Sequence, residues 1–246
     1  MLRLRLMTYN VHKFVGGLDR RRDVRRVAET IAFYRPDVVL LQEVVDLEPL
    51  ASLLSLPHST HRRHTRRRDG LAYGNAVLSR FPIRETTLVD LTVPLKKSRA
   101  ALHAVLSAVD DAGHAHAVHV FNLHLGLSGL ERRAQLRRFL GAHPFAQLHA
   151  QTPVVVAGYF NDVWGTLGRS LLEPAGLRPS GCCAPTFPAF APLRRLDAVY
   201  LRGRAACEHA EAGGDAAARL ASDHLPLVVD LALPGAAEVP GRFVAA

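Results

Sequence analysis

Apolar residues recur along this chain with two periods. Residues 3–11 (Arg-Leu-Arg-Leu-Met-Thr-Tyr-Asn-Val) alternate in the two-residue period of a strand and end at Asn10. Val24, Val27, Ala28, Ile31 and Tyr34 follow helical spacing, and Pro36 closes that helix. Residues 37–42 form a short apolar run after a breaker, the pattern of a buried strand, and lead into Gln42-Glu43. Residues 72–80 and 84–93 predict two strands joined around Phe81-Pro82. Residues 100–109 and 115–123 predict another pair, turning at 110–113. Leu130, Ala134, Leu136, Phe139 and Leu140 mark a second amphipathic helix, with Arg132, Arg133, Arg137 and Arg138 on its other faces. Buried strands follow at 153–158, 196–201 and 225–233, and the Gly/Pro/Ala-rich segment from Pro234 reads as a loose tail.

The order strand–helix–strand, hairpins, strand–helix–strand recurs loosely in the two halves. Mixed helices and strands with many hairpins predict two sheets packed face to face with helices outside, an α/β arrangement. No shift in composition divides the chain, so residues 1–233 are expected to form one domain and 234–246 a flexible extension.

Five of the apolar strands end in polar residues that a buried strand has no structural reason to carry. These are Asn10 with His12, Gln42-Glu43, Asn122 with His124, Asn161-Asp162, and Asp223-His224. Strand ends are where α/β proteins place their sites. Carboxylates and amides suit a hard cation, and imidazoles suit phosphate binding and proton transfer. Other chemistries fail on spacing. Cys182-Cys183 is no zinc pair, no Gly-x-Ser-x-Gly elbow occurs, and no Gly-x₄-Gly-Lys-Ser/Thr loop occurs.

Composition narrows the setting. The 246 residues are 48% apolar and 22% charged, as in ordinary globular proteins, and three cysteines fit a reducing compartment. No apolar stretch approaches the roughly 18 residues of a membrane span, and no signal peptide is read, so a cytoplasmic location is expected. A net charge of +9 would attract polyanions, though solvated surface arginines account for it equally well. The dense basic stretch His61–Arg68 reads as a loop between strands. It and the cluster Arg20–Arg22 with Arg25-Arg26 could track a nucleic-acid backbone.

Seven short motifs then occur in order: Thr8-Tyr-Asn10-Val-His12, Leu41-Gln42-Glu43, Gly74-Asn75-Ala-Val-Leu-Ser79, Asn122-Leu-His124-Leu-Gly126, Gly158-Tyr-Phe-Asn161-Asp162, Arg195-Leu-Asp197 and Ser222-Asp223-His224. Together they resemble the endonuclease/exonuclease/phosphatase superfamily, the pancreatic-deoxyribonuclease-like fold, from about residue 5 to 232. The resemblance implies a four-layer α/β sandwich with its site at one rim of the paired sheets. It implies Mg²⁺, with Mn²⁺ as the substitute, held by Glu43 with Asn10 close by and Asp223 on the same side. It gives His124, Asn161 and His224 to the phosphate, Asp197 to the orientation of His224, and Arg99 to a phosphate-facing role. His12 is a weaker rim candidate. The implied reaction is attack of water on a phosphodiester or phosphomonoester, with DNA or RNA expected ahead of an anionic phospholipid.

One position departs from the pattern. The family reads Gly-Asp-Phe-Asn or Gly-Asp-Leu-Asn where this chain has Gly158-Tyr159-Phe160-Asn161. The missing Asp is the group assigned to the attacking water, and a Tyr, titrating near pH 10, is a poor base at neutrality. Reduced turnover on an intact scaffold is expected. The alternatives are a phosphate-binding relative without activity and an altered mechanism that uses Tyr159. Asp162 belongs to the ordinary pattern and is not expected to replace the missing base.

Overall fold

The computed structural model describes residues 1–66, 69–182 and 184–233. Arg67, Arg68, Cys183 and the tail from Pro234 lie outside the described residues. The strands are β1 (Leu2–Asn10), β2 (Val38–Val44), β3 (His58–Arg66), β4 (Ala72–Ser79), β5 (Ile83–Asp90), β6 (Ala100–Val109), β7 (Ala115–His124), β8 (Val154–Tyr159), β9 (Arg178–Pro179), β10 (Asp197–Arg202), β11 (Ala206–Ala212) and β12 (Leu227–Leu233). The α-helices are α1 (Val24–Tyr34), α2 (Glu48–Ala51), α3 (Gly129–Gly141) and α4 (Ala216–Ala221). They build two six-stranded sheets, ordered β11-β12-β1-β2-β4-β3 and β5-β6-β7-β8-β10-β9. Each sheet holds one parallel pair, β1/β2 and β7/β8, and α1 and α3 lie in the connections between those paired strands.

Both long helices begin on side-chain caps. The Asp23 carboxylate accepts from the Arg25 N–H, and the Ser128 hydroxyl accepts from the Glu131 N–H. The α1 stripe of Val27, Ala28 and Ile31 packs on Met7, Tyr9, Val39 and Leu41 of the first sheet. From α3, Leu136 and Phe139 pack on Phe121, Val154 and Val156 of the second. The opposite faces of the two sheets meet in a third cluster that includes Leu4, Leu6, Leu40, Leu102, Val120, Val155 and Val229. The result is the expected four layers, helix–sheet–sheet–helix. Each fully buried Leu or Val contributes about 1.5–3 kcal/mol relative to exposure.

The strand period of two explains where the polar residues go. Along β1, Leu2, Leu4 and Leu6 face the second sheet, and the same row continues as Thr8 and Asn10. The interior rows run Val38, Leu40, Gln42 in β2 and Val118, Val120, Asn122, His124 in β7. In β8 the row is Val155, Ala157, Tyr159, and β10 enters at Asp197 before Val199 and Leu201. Each row is apolar at depth and changes character at the same rim, so that rim alone collects the chemistry.

Just below it, three carboxamides with 0% exposure join the two sheets. Gln42 Nε2 donates to Asn122 Oδ1 at 2.8 Å, and Asn122 Nδ2 donates to the carbonyls of Leu41 at 2.8 Å and Ala76 at 2.9 Å. Asn75 Nδ2 donates to the carbonyls of Asn122 at 2.9 Å and Ala100 at 3.3 Å. All five bonds cross from one sheet to the other.

The basic stretch expected to be a loop is instead an edge strand. His58–Arg66 pairs along β4, with Arg62 and Arg63 turned to solvent. Charges on an edge strand discourage pairing with another chain, which accounts for a composition that carries no apolar alternation. The strand expected at 84–93 is shorter at its C-terminal end and runs over Ile83–Asp90. Strands β9 and β11 and helix α4 have no counterpart among the expected elements. Replacing Asn122 by Leu should cost about 3 kcal/mol, because it removes three buried cross-sheet hydrogen bonds, those to Gln42 Nε2 and to the Leu41 and Ala76 carbonyls. Urea unfolding would read this as a lower midpoint at unchanged slope. An unshifted midpoint would mean the carboxamides contribute nothing to joining the sheets.

Candidate active site

The rim is organised on two rungs. In the second sheet His124, Tyr159 and Asp197 lie side by side on β7, β8 and β10. In the first, Asn10 lies beside Gln42 on β1 and β2. The Ser222 hydroxyl donates to the Asn10 carbonyl at 2.7 Å, which draws the Ser222-Asp223-His224 turn onto the end of β1.

His224 is the best-anchored group. Its Nδ1 lies 2.8 Å from Asp197 Oδ2, and the same oxygen accepts from the Thr186 hydroxyl at 2.6 Å. Burial works to lower the imidazole pKa. The charge and hydrogen bond of Asp197, with Asp223 and Glu43 behind them, outweigh burial and raise it above the ordinary value. His124 is the opposite case. Burial, reinforced by Arg99, His64 and Lys13, pushes its pKa well below the ordinary value, so it is neutral at pH 7. Its Nε2 is 3.9 Å from Glu43 Oε1, and its buried Nδ1 has no partner.

Glu43 closes β2 with a positive φ of 61°. Burial would raise its pKa, but the charge and hydrogen bond of Lys13, aided by His12 and Arg99, hold it below the usual carboxylate range. Lys13 Nζ donates to Glu43 Oε2 and sits 5.1 Å above the Tyr73 ring. The sequence pattern gives no sign of this lysine. It is aimed by the turn His12–Phe14, whose three residues all take positive φ. Of the eight non-glycine residues with positive φ among the described residues, five are His12, Lys13, Phe14, Glu43 and Asn161. Each costs of order 1–3 kcal/mol, and such strain collects at functional sites.

The other expected residues are also near. Asn10 is 2% exposed, and its Oδ1 accepts from the His12 N–H at 3.0 Å. His12 Nδ1 stands 3.6 Å from Asp223 Oδ1. Arg99 is 6% exposed, its Nε has no partner among the described residues, and its charge is felt by Glu43, His124 and Tyr159. A buried guanidinium with an unsatisfied N–H at a rim is suited to an anion. Asn161 Nδ2 donates to the Gly126 carbonyl at 3.2 Å, so one of its two amide protons is already engaged. Asp162 turns away. Its carboxylate accepts from the backbone N–H groups of Thr166, Leu167 and Gly168, a structural role in keeping with its exclusion as a substitute base. His64 has no place among the expected residues either, because it lies on the stretch read as a loop. It is set against Asn75 at 3.3 Å, with its pKa pushed down to about 4 by burial first and then by Arg99.

Tyr159 occupies the centre. Its ring meets His124 edge-on at 5.2 Å and His224 edge-on at 5.1 Å. Burial, then Asp197, Glu43 and Asp223, raise its hydroxyl pKa above that of free tyrosine. These surroundings disfavour a phenolate near neutrality. The preceding residue can only be glycine. Gly158 has φ of 136°, and a Cβ there would fall 2.1 Å from the Leu123 carbonyl oxygen.

The implied Mg²⁺ can be tested against these donors. Among the described residues no three His, Cys, Asp or Glu side chains converge closely enough to hold an ion alone. Mg²⁺ does not need such a cage, since it keeps several waters and takes one or two carboxylates plus substrate oxygens. The oxygens of Glu43, Asn10 and Asp223 fit that requirement, on the condition that Lys13 shares or releases Glu43.

This fold has counterparts in known proteins. Residues 7–224 match the Endonuclease/Exonuclease/phosphatase family, and the chain belongs to that family, whose members are generally hydrolases of phosphoesters. It is 31% identical over 256 aligned positions to the uncharacterized protein YbhP of Escherichia coli (strain K12), covering 93% of this chain and 96% of YbhP. Among solved structures, the endonuclease/exonuclease/phosphatase from Beutenbergia cavernae DSM 12333 superposes with a TM-score of 0.80 at 26% identity, covering 95% of this chain and 72% of that one. The D. rerio TDP2 complexed with single strand DNA product superposes at 0.71 with 21% identity, covering 94% and 99%.

Replacing Asp197 by Asn in metal-free protein should remove the largest influence opposing burial, leaving only the weaker charges of Asp223 and Glu43, so the His224 pKa should fall. Imidazole NMR titration reads the shift. An unchanged His224 pKa would show that Asp197 does not set its charge.

Proposed function

We propose that this chain is a divalent-metal-assisted phosphoester hydrolase, acting on phosphodiesters, whose turnover is held low by Tyr159. The observation that carries the reading is the convergence on one rim of the Asp197–His224 pair, neutral His124, the unsatisfied Nε of Arg99 and the oxygens of Glu43 and Asn10. Glu43 and Asn10 would hold Mg²⁺, with Asp223 on the same side, and a bound ion would supply neutralisation of the charge that develops on the phosphoryl oxygens. Arg99 and the raised-pKa His224 bind the non-bridging oxygens, and Asn161 adds its free amide proton. Asp197 holds His224 in one orientation and favours its charged form. His124, neutral and buried, donates one N–H to the phosphate or to the leaving oxygen. Lys13 must leave Glu43 or share it as the ion arrives, and its flexible stem keeps its charge within the rim.

The wedge of Tyr159 between the two histidines supports a second reading. With no base at this position and an aromatic ring where the attacking water would stand, the site would bind phosphate without cleaving it. The two readings part on one substitution. Tyr159→Asp removes the ring and restores a carboxylate, and should raise Mg²⁺-dependent hydrolysis of an aryl phosphodiester by about 10²–10⁴-fold. A wild-type protein as fast as the variant would free Tyr159 of blame. Silence of both proteins with Mg²⁺ and Mn²⁺ would end the hydrolytic reading.

Charge alone leaves two kinds of phosphodiester open, nucleic acid and anionic phospholipid. The basic stretch that favoured nucleic acid is partly engaged within the fold. Arg63 donates to the Val45 carbonyl and Arg62 to the Thr86 hydroxyl, while Arg26 pairs with Asp19.

A further inference from the structure

The rim that carries the candidate site is also where large apolar side chains stand in water. β7 and β8 end at this rim, and β6 and β10 begin there, so the connections around residues 91–99, 125–128, 160–167 and 186–196 surround the site on the second sheet's side. Thirteen large apolar residues are exposed among the described residues, and six of them belong to these connections or to the first turn of α3: Leu95, Leu127, Leu130, Trp164, Phe190 and Leu193. Apart from half-exposed Phe190, their exposure runs from 70% for Leu127 to 104% for Leu95. Leu95 is held outward on a backbone of positive φ, 65°. Single exposed leucines need no explanation, but a group of them around one opening does.

The charges between them are of one sign. Lys96, Lys97, Arg194 and Arg195 are exposed. The acidic groups of these segments face inward instead. Asp162 caps the turn at 166–168, and Glu131 is buried against Gln135. Trp164, Leu193, Arg194 and Arg195 line a cleft of about 880 Å³ that reaches Asp197, so this surface is continuous with the candidate site.

We propose that this rim docks on an anionic phospholipid bilayer. The leucines and Trp164 enter the boundary between headgroups and acyl chains, while the lysines and arginines lie among the lipid phosphates. Leucines give a single strand no stacking platform, and only Trp164 and Phe190 could stack a base, whereas leucine, tryptophan and lysine together suit a membrane interface. No helix among the described residues is long and apolar enough to cross a membrane, so the association is peripheral. The proposal rests on the hydrolytic reading only in giving that site a substrate class, the phosphodiester of a lipid headgroup.

Trp164 is the chain's one tryptophan, which makes its fluorescence a direct reporter. Vesicles of phosphatidylcholine with phosphatidylglycerol should shift Trp164 emission to the blue and carry the metal-free protein down on sedimentation, and vesicles of phosphatidylcholine alone should do so weakly. The paired substitution Leu127→Ser with Leu193→Ser should weaken binding about tenfold or more. Lys96→Gln with Lys97→Gln should also weaken it. Phe33→Ser, an exposed aromatic on α1, should leave it unchanged. All these positions are on the surface, so unchanged thermal melting is expected and separates docking from misfolding. The proposal is overturned if Trp164 ignores vesicles or if the leucine pair binds them as well as wild type. A Trp164 response to single-stranded oligonucleotide and not to vesicles would also overturn it, in favour of a nucleic-acid groove. No turnover is measured, so the result is independent of whether the site hydrolyses anything.

Discussion

Three buried carboxamides are the constraint on which the rest of this molecule depends. The two sheets meet across apolar side chains that would tolerate small sliding, because hydrophobic contact has no direction. Gln42, Asn122 and Asn75 remove that freedom. Four of their five cross-sheet hydrogen bonds reach backbone carbonyls of β2, β4, β6 and β7, so each sheet is indexed on the main chain of the other. A buried amide left without its partner costs about 1–3 kcal/mol, so a sliding of the sheets by one residue is disfavoured several times over. The candidate site stands directly on this junction. His124 follows Asn122 in the same interior row, and Glu43 follows Gln42 in the chain.

That support permits the strain and charge above it. Five side chains on left-handed backbone, a neutral buried histidine beside an arginine, and a carboxylate pinned by a lysine would each be unfavourable on a loose frame. The arrangement also makes the effect of Tyr159 intelligible. It closes the β8 interior row where that row changes from apolar to polar, so a single substitution puts an aromatic ring between two histidines while every strand keeps its register. The scaffold persists, and an aromatic ring stands where the family pattern carries an aspartate.

Much of this architecture is legible in the amino-acid sequence. The central strands announce themselves because buried strands need apolar rows, and a polar residue at the end of such a row needs a reason, which for Gln42 and Asn122 is the junction of the sheets. Hence Asn10, Glu43, His124 and His224 stand out as candidates in the pattern, and Asp197 joins them through the family resemblance. The edge strands β3 and β11 are illegible for the converse reason. His58–Arg66 and Ala206–Ala212 carry few apolar residues, and nothing in their pattern distinguishes them from loops. Lys13 escapes because its meaning lies in a left-handed turn that carries it back to Glu43, a geometry that spacing does not encode. Arg99 is one arginine among many until burial sets it apart. The apolar crown is invisible as well, since Leu95, Leu127, Trp164 and Leu193 are dispersed in sequence and become neighbours of one opening only when four strands align their ends.

The central claim is that one rim, standing on the carboxamide junction, is a single site for a divalent cation and a phosphate. The most direct measurement is a crystal structure of the protein soaked with Mn²⁺ and inorganic phosphate, with the ion located by its anomalous signal. The expected result is an ion on the oxygens of Glu43 and Asn10, Lys13 displaced from or sharing that carboxylate, and phosphate held by Arg99 and His224. An ion and a phosphate bound elsewhere, with Lys13 still closed on Glu43 and the rim empty, would contradict it.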